Sequence, residues 1–206
     1  MKTPLLDVEG FILVGGASSR MGTDKSGLRL NGKTTVSLIS EALRPVTSKV
    51  SVVGTSFEAA NSGLPGVPDL HERWGPLGGI QAALHACKTD HCIIIACDLP
   101  FVTSELLAYL LEIASEANTT PAAVVPLQSD GRPQPLCAVY QRASCLAAAE
   151  KSIALDEHTP RAMLDKIETR YVNFSELRSL SGSEHFFVNL NHPEDYERAK
   201  KIALPQ

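Results

Sequence analysis

Residues 11–25 read FILVGGASSRMGTDK, and this stretch decides the fold. Phe11, Ile12, Leu13 and Val14 form a short apolar run of the kind that makes a buried strand. The composition then switches to Gly15, Gly16, Ala17, Ser18 and Ser19, small residues that let backbone N–H groups come close to a ligand. Arg20 and Lys25 follow, with Gly22 between them to bend the chain again. A small-residue loop with two cations, set directly after a strand, suits a polyphosphate. Two named phosphate motifs do not fit. The P-loop, G-x-x-x-x-G-K-[ST], fails because Gly22 is followed by Thr23 and Ala17 stands in the first glycine position. The dinucleotide fingerprint G-x-G-x-x-G fails because Gly15 and Gly16 are adjacent. The plainer reading, a surface turn with solvated charges, does not explain two cations set beyond a glycine pair.

The chain has 206 residues, 44% of them apolar, enough for one α/β domain with a substantial core. A single domain over 1–206 is expected, since no repeat, low-complexity tract or linker interrupts it. A net charge of −4 without long charge runs argues against duplex nucleic acid as a partner, but not against a small anion in a local cationic pocket. Residues 1–14 lack the long apolar run of a signal peptide, and no stretch reaches membrane-spanning length. Five cysteines, an odd number without a secreted-type framework, point to a reducing cytoplasm.

Downstream, Asn31-Gly32 signals a turn, and a helix is expected over 34–43 with Val36, Ile39 and Leu43 on one face. Residues 49–53 read as a strand ending at Gly54, 55–66 as mostly loop, and 67–69 as a short edge strand limited by Pro68. GPLGGIQAALHAC, residues 75–87, repeats apolar residues at helical spacing, with its glycines at an anion-friendly N-terminal end. Those glycines serve close helix–strand packing equally well. Residues 92–96 are continuously apolar, the pattern of a central parallel strand covered on both faces. Helices are expected over 104–117, 142–152, from Thr159-Pro160 towards Lys166, and from Pro193 onward. Further strands are expected over 122–125, 136–140, 171–174 and 186–188.

Asp98 follows the central strand, where open α/β sheets bind ligands, so it is the leading metal ligand. The alternative is a helix cap or a buried ion pair, but Thr103 or Ser104 is better placed to start the next helix. Arg132 and Gln134, in the proline-stiffened loop SDGRPQP (129–135), suit an acceptor with phosphate and amide-like edges; a polar hairpin turn is the alternative. Asn189 and Asn191, before the last helix, offer amide oxygens to a metal or a substrate. His85, Cys87, His91, Cys92 and Cys97 invite a zinc reading, yet most fall on a helix end and a buried strand, without a usual zinc spacing.

The pattern G-G-x-S-x-R-M-G-x-D-K resembles the signature of nucleotidyltransferases with a Rossmann-like fold. With VPD, WGPLGGI, ACDLPF, DGRPQPLCAVY and FVNLNHPED following in order, nearly the whole chain resembles a molybdenum cofactor guanylyltransferase. The resemblance implies an α/β, three-layer αβα sandwich with a mostly parallel central sheet. It implies that Leu13, Val14, Gly15 and Gly16 meet the nucleotide, with Asp69 beside it. Arg20 and Lys25 would act on its phosphates, and Asp98 would hold Mg²⁺. The pterin end would lie towards Arg132, Gln134, Asn189 and Asn191. GTP and Mo-molybdopterin would be the substrates, with molybdoenzyme apoproteins or delivery chaperones as further partners. The acceptor's terminal phosphate is already an anionic nucleophile, so the absence of an evident general base is consistent with the reaction. Two departures stand out: Gly54 occupies a position where some relatives carry an Asn, and His192 one where Thr is common. A transferase with another base or acceptor, such as a molybdopterin cytidylyltransferase, and a non-catalytic nucleotide-binding paralogue remain the alternatives.

Overall fold

Every residue of β1 (Val8–Leu13) is buried, because the strand lies well inside a sheet covered on both faces. A computed structural model describes residues 7–15, 28–54, 60–70, 74–116 and 121–204. The expectations placed on Gly16, Arg20 and Lys25 therefore fall outside the described residues. Beside β1 the main sheet contains β4 (Lys49–Val53), β5 (Gly66–Val67), β6 (His91–Ala96), β7 (Ala123–Pro126), β8 (Cys137–Gln141) and β9 (Thr169–Val172). A two-stranded hairpin, β2 (Arg29–Leu30) and β3 (Lys33–Thr34), turns at Asn31-Gly32 as expected. The helices among the described residues include α1 (Thr35–Leu43), α2 (Gly75–Ala86), α3 (Ser104–Ala114), α4 (Arg142–Ala154), α5 (Pro160–Leu164), α6 (Phe174–Leu177) and α7 (Pro193–Ala203).

The strand order is β5-β4-β1-β6-β8-β7-β9. Only β8 runs against the rest: it is antiparallel to both β6 and β7, while the other described pairings in this sheet are parallel. Successive β1 side chains point to opposite faces. Val8 and Ile12 join Val52, Ile93 and Ile95 beneath α1 and α3. Phe11 and Leu13 join Val53, Ile94 and Tyr140 beneath α2 and α4. Each aliphatic side chain so buried contributes about 1.5–3 kcal/mol. This is the three-layer αβα sandwich with a mostly parallel sheet.

Sheet order also locates the crevice. From β1 the chain passes through α1 to β4 on one side; from β6 it passes through α3 to β7 on the other. The carboxyl ends of β1 and β6 therefore flank a topological switch point, where sheets of this type bind ligands.

Several boundaries differ from the sequence expectation. The strand expected over 67–69 is only Gly66–Val67, leaving Pro68 and Asp69 beyond the ladder. The helix from Ser104 ends at Ala114, with Ser115 as its cap. The strand expected over 171–174 stops at Val172, because Asn173 and Glu176 form a capping box that opens α6 at Phe174. Residues 186–188 are not a strand: Phe186 and Phe187 lie in turns, with Phe186 buried in the core beneath α1 and α3.

Candidate active site

Three parallel strands end together at the crevice and are cross-linked there. Val14 N–H donates to Val53 O at 2.8 Å, and Cys97 N–H donates to Leu13 O at 3.0 Å. Leu13 O and Val14 N–H are thus engaged in the sheet, and only beyond them does the chain leave it, at exposed Gly15 with φ +97°. Gly54, at the end of β4, has φ +96°, and a Cβ there would stand 2.2 Å from Val14 O. Only glycine permits this approach, which is why an Asn cannot occupy position 54 without displacing the β1 end.

Gly54 N–H donates to Val67 O at 3.0 Å, and Asp69 follows two residues later. Its Oδ2 lies 3.5 Å from the Cβ position of Gly54. Asp69 is exposed as a residue, but its carboxyl is turned partly inward, and this burial raises its pKa above the usual carboxylate value. The structure therefore brings Val14, Gly54 and Asp69 together.

On the other side of β1, Asp98 follows β6 and is half-buried. Its backbone oxygen accepts from Leu190 N–H at 3.1 Å, so Asn189 and Asn191 straddle the residue that docks on it. Asp195 fixes this segment from the start of α7, accepting from Asn191 N–H at 3.1 Å and His192 N–H at 2.9 Å. Partial burial works to raise the Asp195 carboxyl, but those two donors and Arg198 outweigh it and hold the pKa below the usual range. Thr103, not Asp98, caps α3: its side chain accepts from Leu106 N–H at 3.3 Å.

The loop between β7 and β8 closes as a tight turn, with Gln128 N–H to Arg132 O at 2.8 Å and Gly131 N–H to Gln128 O at 2.9 Å. Arg132 is 75% exposed along its side chain and pairs with Asp130, Nε to Oδ2, at 2.6 Å. Its guanidinium is thus held within its own loop. Gln134 is only 7% exposed, with its N–H on Pro126 O at 2.9 Å, so it belongs to the strand ends rather than the loop tip. Ala96 N–H donates to Leu136 O at 2.9 Å, which ties the end of this loop beside the approach to Asp98.

The cysteines are all buried free thiols. Burial pushes Cys137 and Cys145 up to about 12, whereas a hydrogen bond from Cys92 brings Cys87 down to about 7. Among the described residues, no three or more His, Cys, Asp or Glu side chains gather in a metal-holding arrangement. The Asp98 carboxylate is a hard oxygen donor at a strand end, of the type that suits Mg²⁺ carried largely by substrate phosphates.

Sequence reasoning passed over one pair at the rim. Trp74 precedes α2, and its indole stacks on His158 from the loop after α4. The signal available was that Trp74 is the chain's single tryptophan and sits in WGPLGG.

Comparison with known proteins agrees with this architecture. The MobA-like NTP transferase domain family matches residues 10–171. A protein of Pelotomaculum thermopropionicum named probable molybdenum cofactor guanylyltransferase is 33% identical, covering 97% of this chain and 95% of that one. One of the same name from Carboxydothermus hydrogenoformans is 34% identical, covering 93% and 94%. Among solved structures, molybdopterin-guanine dinucleotide biosynthesis protein A of Archaeoglobus fulgidus superposes with a TM-score of 0.79 at 28% identity, covering 94% and 97%. The 2-C-methyl-D-erythritol 4-phosphate cytidylyltransferase of Thermus thermophilus shares the fold, with a TM-score of 0.69 at 18% identity, covering 96% and 99%. A strand-end crevice, a family match over most of the length and relatives above 30% identity lead to one conclusion: the chain belongs to the MobA-like NTP transferase family, in the group named molybdenum cofactor guanylyltransferases.

Proposed function

We propose that this nucleotidyltransferase moves GMP from GTP to the terminal phosphate of Mo-molybdopterin, yielding the guanine dinucleotide form of the cofactor and pyrophosphate. An oxygen of the acceptor phosphate forms a bond to the α-phosphorus of GTP, and the bond from that phosphorus to the bridging oxygen of pyrophosphate breaks. The nucleophile is already an anion, so no side chain has to remove a proton. The chain's task is to bind two anionic substrates and align them.

The observation that carries this reading is the docking of Leu190 on Asp98, which puts the Asn189–Asn191 motif beside the end of β6. Val14, Gly15 and Asp69 receive the nucleotide on the β1 and β4 side. Gly16, Arg20 and Lys25 complete the phosphate loop, the two cations offsetting triphosphate charge. Asp98 holds Mg²⁺, with Asn189 and Asn191 as neighbouring oxygen donors. When bound, Mg²⁺ supplies charge neutralisation on the triphosphate. Arg132 and Gln134 serve the acceptor side, Arg132 after its guanidinium turns from Asp130.

The protein works as a single domain in the cytoplasm and hands its product to molybdoenzyme apoproteins or delivery chaperones. Among the described residues, no helix is long and apolar enough to cross a membrane. The test is pyrophosphate release with Mo-loaded molybdopterin against each of the four nucleotides. Release with GTP alone is expected. Release with CTP instead would assign the cytidylyltransferase reading, and GTP binding without release would assign the non-catalytic one.

A further inference from the structure

Trp74 and His158 are far apart in the sequence, yet their rings stack, with centroids 4.1 Å apart and planes 19° from one another. The pair stands at the crevice. α2 packs Gly79 against β1, where a Cβ on it would meet Leu13 Cδ1 at 3.2 Å. Gly78 N–H reaches back to Trp74 O at 3.4 Å, so Trp74 rises one turn above that packing point, beyond the strand ends. His158 arrives in the loop after α4, whose C-terminal end lies at the same edge because α4 follows the reversed strand β8.

The imidazole is built into position. Its Nε2 lies 3.0 Å from Asp156 Oδ1, which fixes the ring edge. Asp156 itself has φ +60°, a conformation that aspartate tolerates better than most residues. Glu157, next along, accepts from Lys166 and anchors the loop to the end of α5. One face of the imidazole is covered by the indole, yet 51% of the His158 side chain is exposed, so the outer face is open.

From this arrangement we infer that the Trp74–His158 pair is a stacking platform for a flat 2-amino-4-oxo-pyrimidine-fused ring at the rim of the crevice. The inference rests on the proposed reaction, in which both substrates carry such a ring: guanine on the donor and pterin on the acceptor. Stacking on an aromatic face is shape-selective and needs no charge, so it complements contacts that hold the phosphate end of a substrate.

The test is calorimetric titration of GTP, of 6-hydroxymethylpterin and of inorganic tripolyphosphate into the wild type, H158A, H158F and W74L. For the ring that stacks, H158A and W74L should weaken binding about tenfold, and H158F should return it to within about twofold. Tripolyphosphate, which has no ring, should bind all four proteins alike. Loss confined to GTP assigns the platform to guanine, and loss confined to the pterin assigns it to the acceptor. Unchanged affinity of both rings for H158A would overturn the inference, as would an H158F protein as weak as H158A or an equal loss for tripolyphosphate. Because His158 is exposed on a loop, H158A carries the test if W74L does not fold. Pyrophosphate release by the wild type, measured in parallel, separates the two readings. Turnover with indifferent rings overturns the platform alone, and ring-dependent loss without turnover overturns the transfer reading alone.

Discussion

The two sides of the crevice are held by different means. On the β1–β4 side, backbone hydrogen bonds join Val14 to Val53 and Gly54 to Val67, and Gly54 touches the Val14 carbonyl so closely that no side chain fits. On the β7–β8 side, Arg132 sits on a two-strand turn, exposed and paired within its own loop. A site that must recognise one triphosphate gains from a rigid frame. If Arg132 turns towards an acceptor, as proposed, its loop gains from a weak surface pair, which is worth no more than about 1 kcal/mol. The rigid side should therefore fail abruptly when altered and the adjustable side gradually.

The sharpest break of that contrast is Gly54→Ala. Positive φ and overlap with the Val14 carbonyl together should cost about 3 kcal/mol of stability, read as a lowered urea midpoint at unchanged slope. A variant as stable as the wild type would show that the β1 end yields. Next in size, Asp98→Asn should retain the fold but lose at least ~10²-fold in turnover, about 2.7 kcal/mol in the barrier, because a neutral amide is a poor Mg²⁺ ligand. Near-normal turnover at saturating Mg²⁺ would remove Asp98 from the metal.

On the adjustable side, Arg132→Ala should weaken molybdopterin binding by about tenfold and leave GTP affinity and melting temperature nearly unchanged. Separate titrations of the two ligands decide this; a defect in GTP alone would move the loop to the nucleotide side. Asp130→Ala, which frees the guanidinium, should leave acceptor binding intact or tighten it. The smallest effect is expected at Asp195→Asn, below about 1 kcal/mol, through loosening of the Asn189–Asn191 segment. The folded pKa of Asp195 is depressed, so its contribution is present above the unfolded value of about 3.9. It is lost as pH falls through the lower folded value. Denaturation curves of the two proteins should therefore differ at neutral pH and converge in acid; a difference that persists in acid would assign it to packing.

Elements with long, one-sided or continuous apolar patterns are legible in the sequence alone. Residues 49–53 and 92–96 are strands, and 75–86 is a helix, because their burial pattern follows directly from sequence period. Residues 186–188 failed because three apolar residues do not distinguish a strand from a turn that drops one aromatic into the core. Phe186 is buried with no ladder around it. Flanking prolines point to an open loop for Gln134, whereas a backbone bond to Pro126 draws it into the sheet end. The β8 reversal was invisible because an antiparallel strand with both faces covered has the same apolar content as a parallel one.

By itself the sequence determined the α/β class, the order of the motifs and the strand-end position of Asp98, since these depend on local composition and spacing. Tertiary structure alone decided which motifs meet. It set the Leu190 docking on Asp98, the closure of Gly54 over Val14 and the stacking of Trp74 on His158, because each joins residues far apart in the chain through contacts that exist only after the helices pack on the sheet.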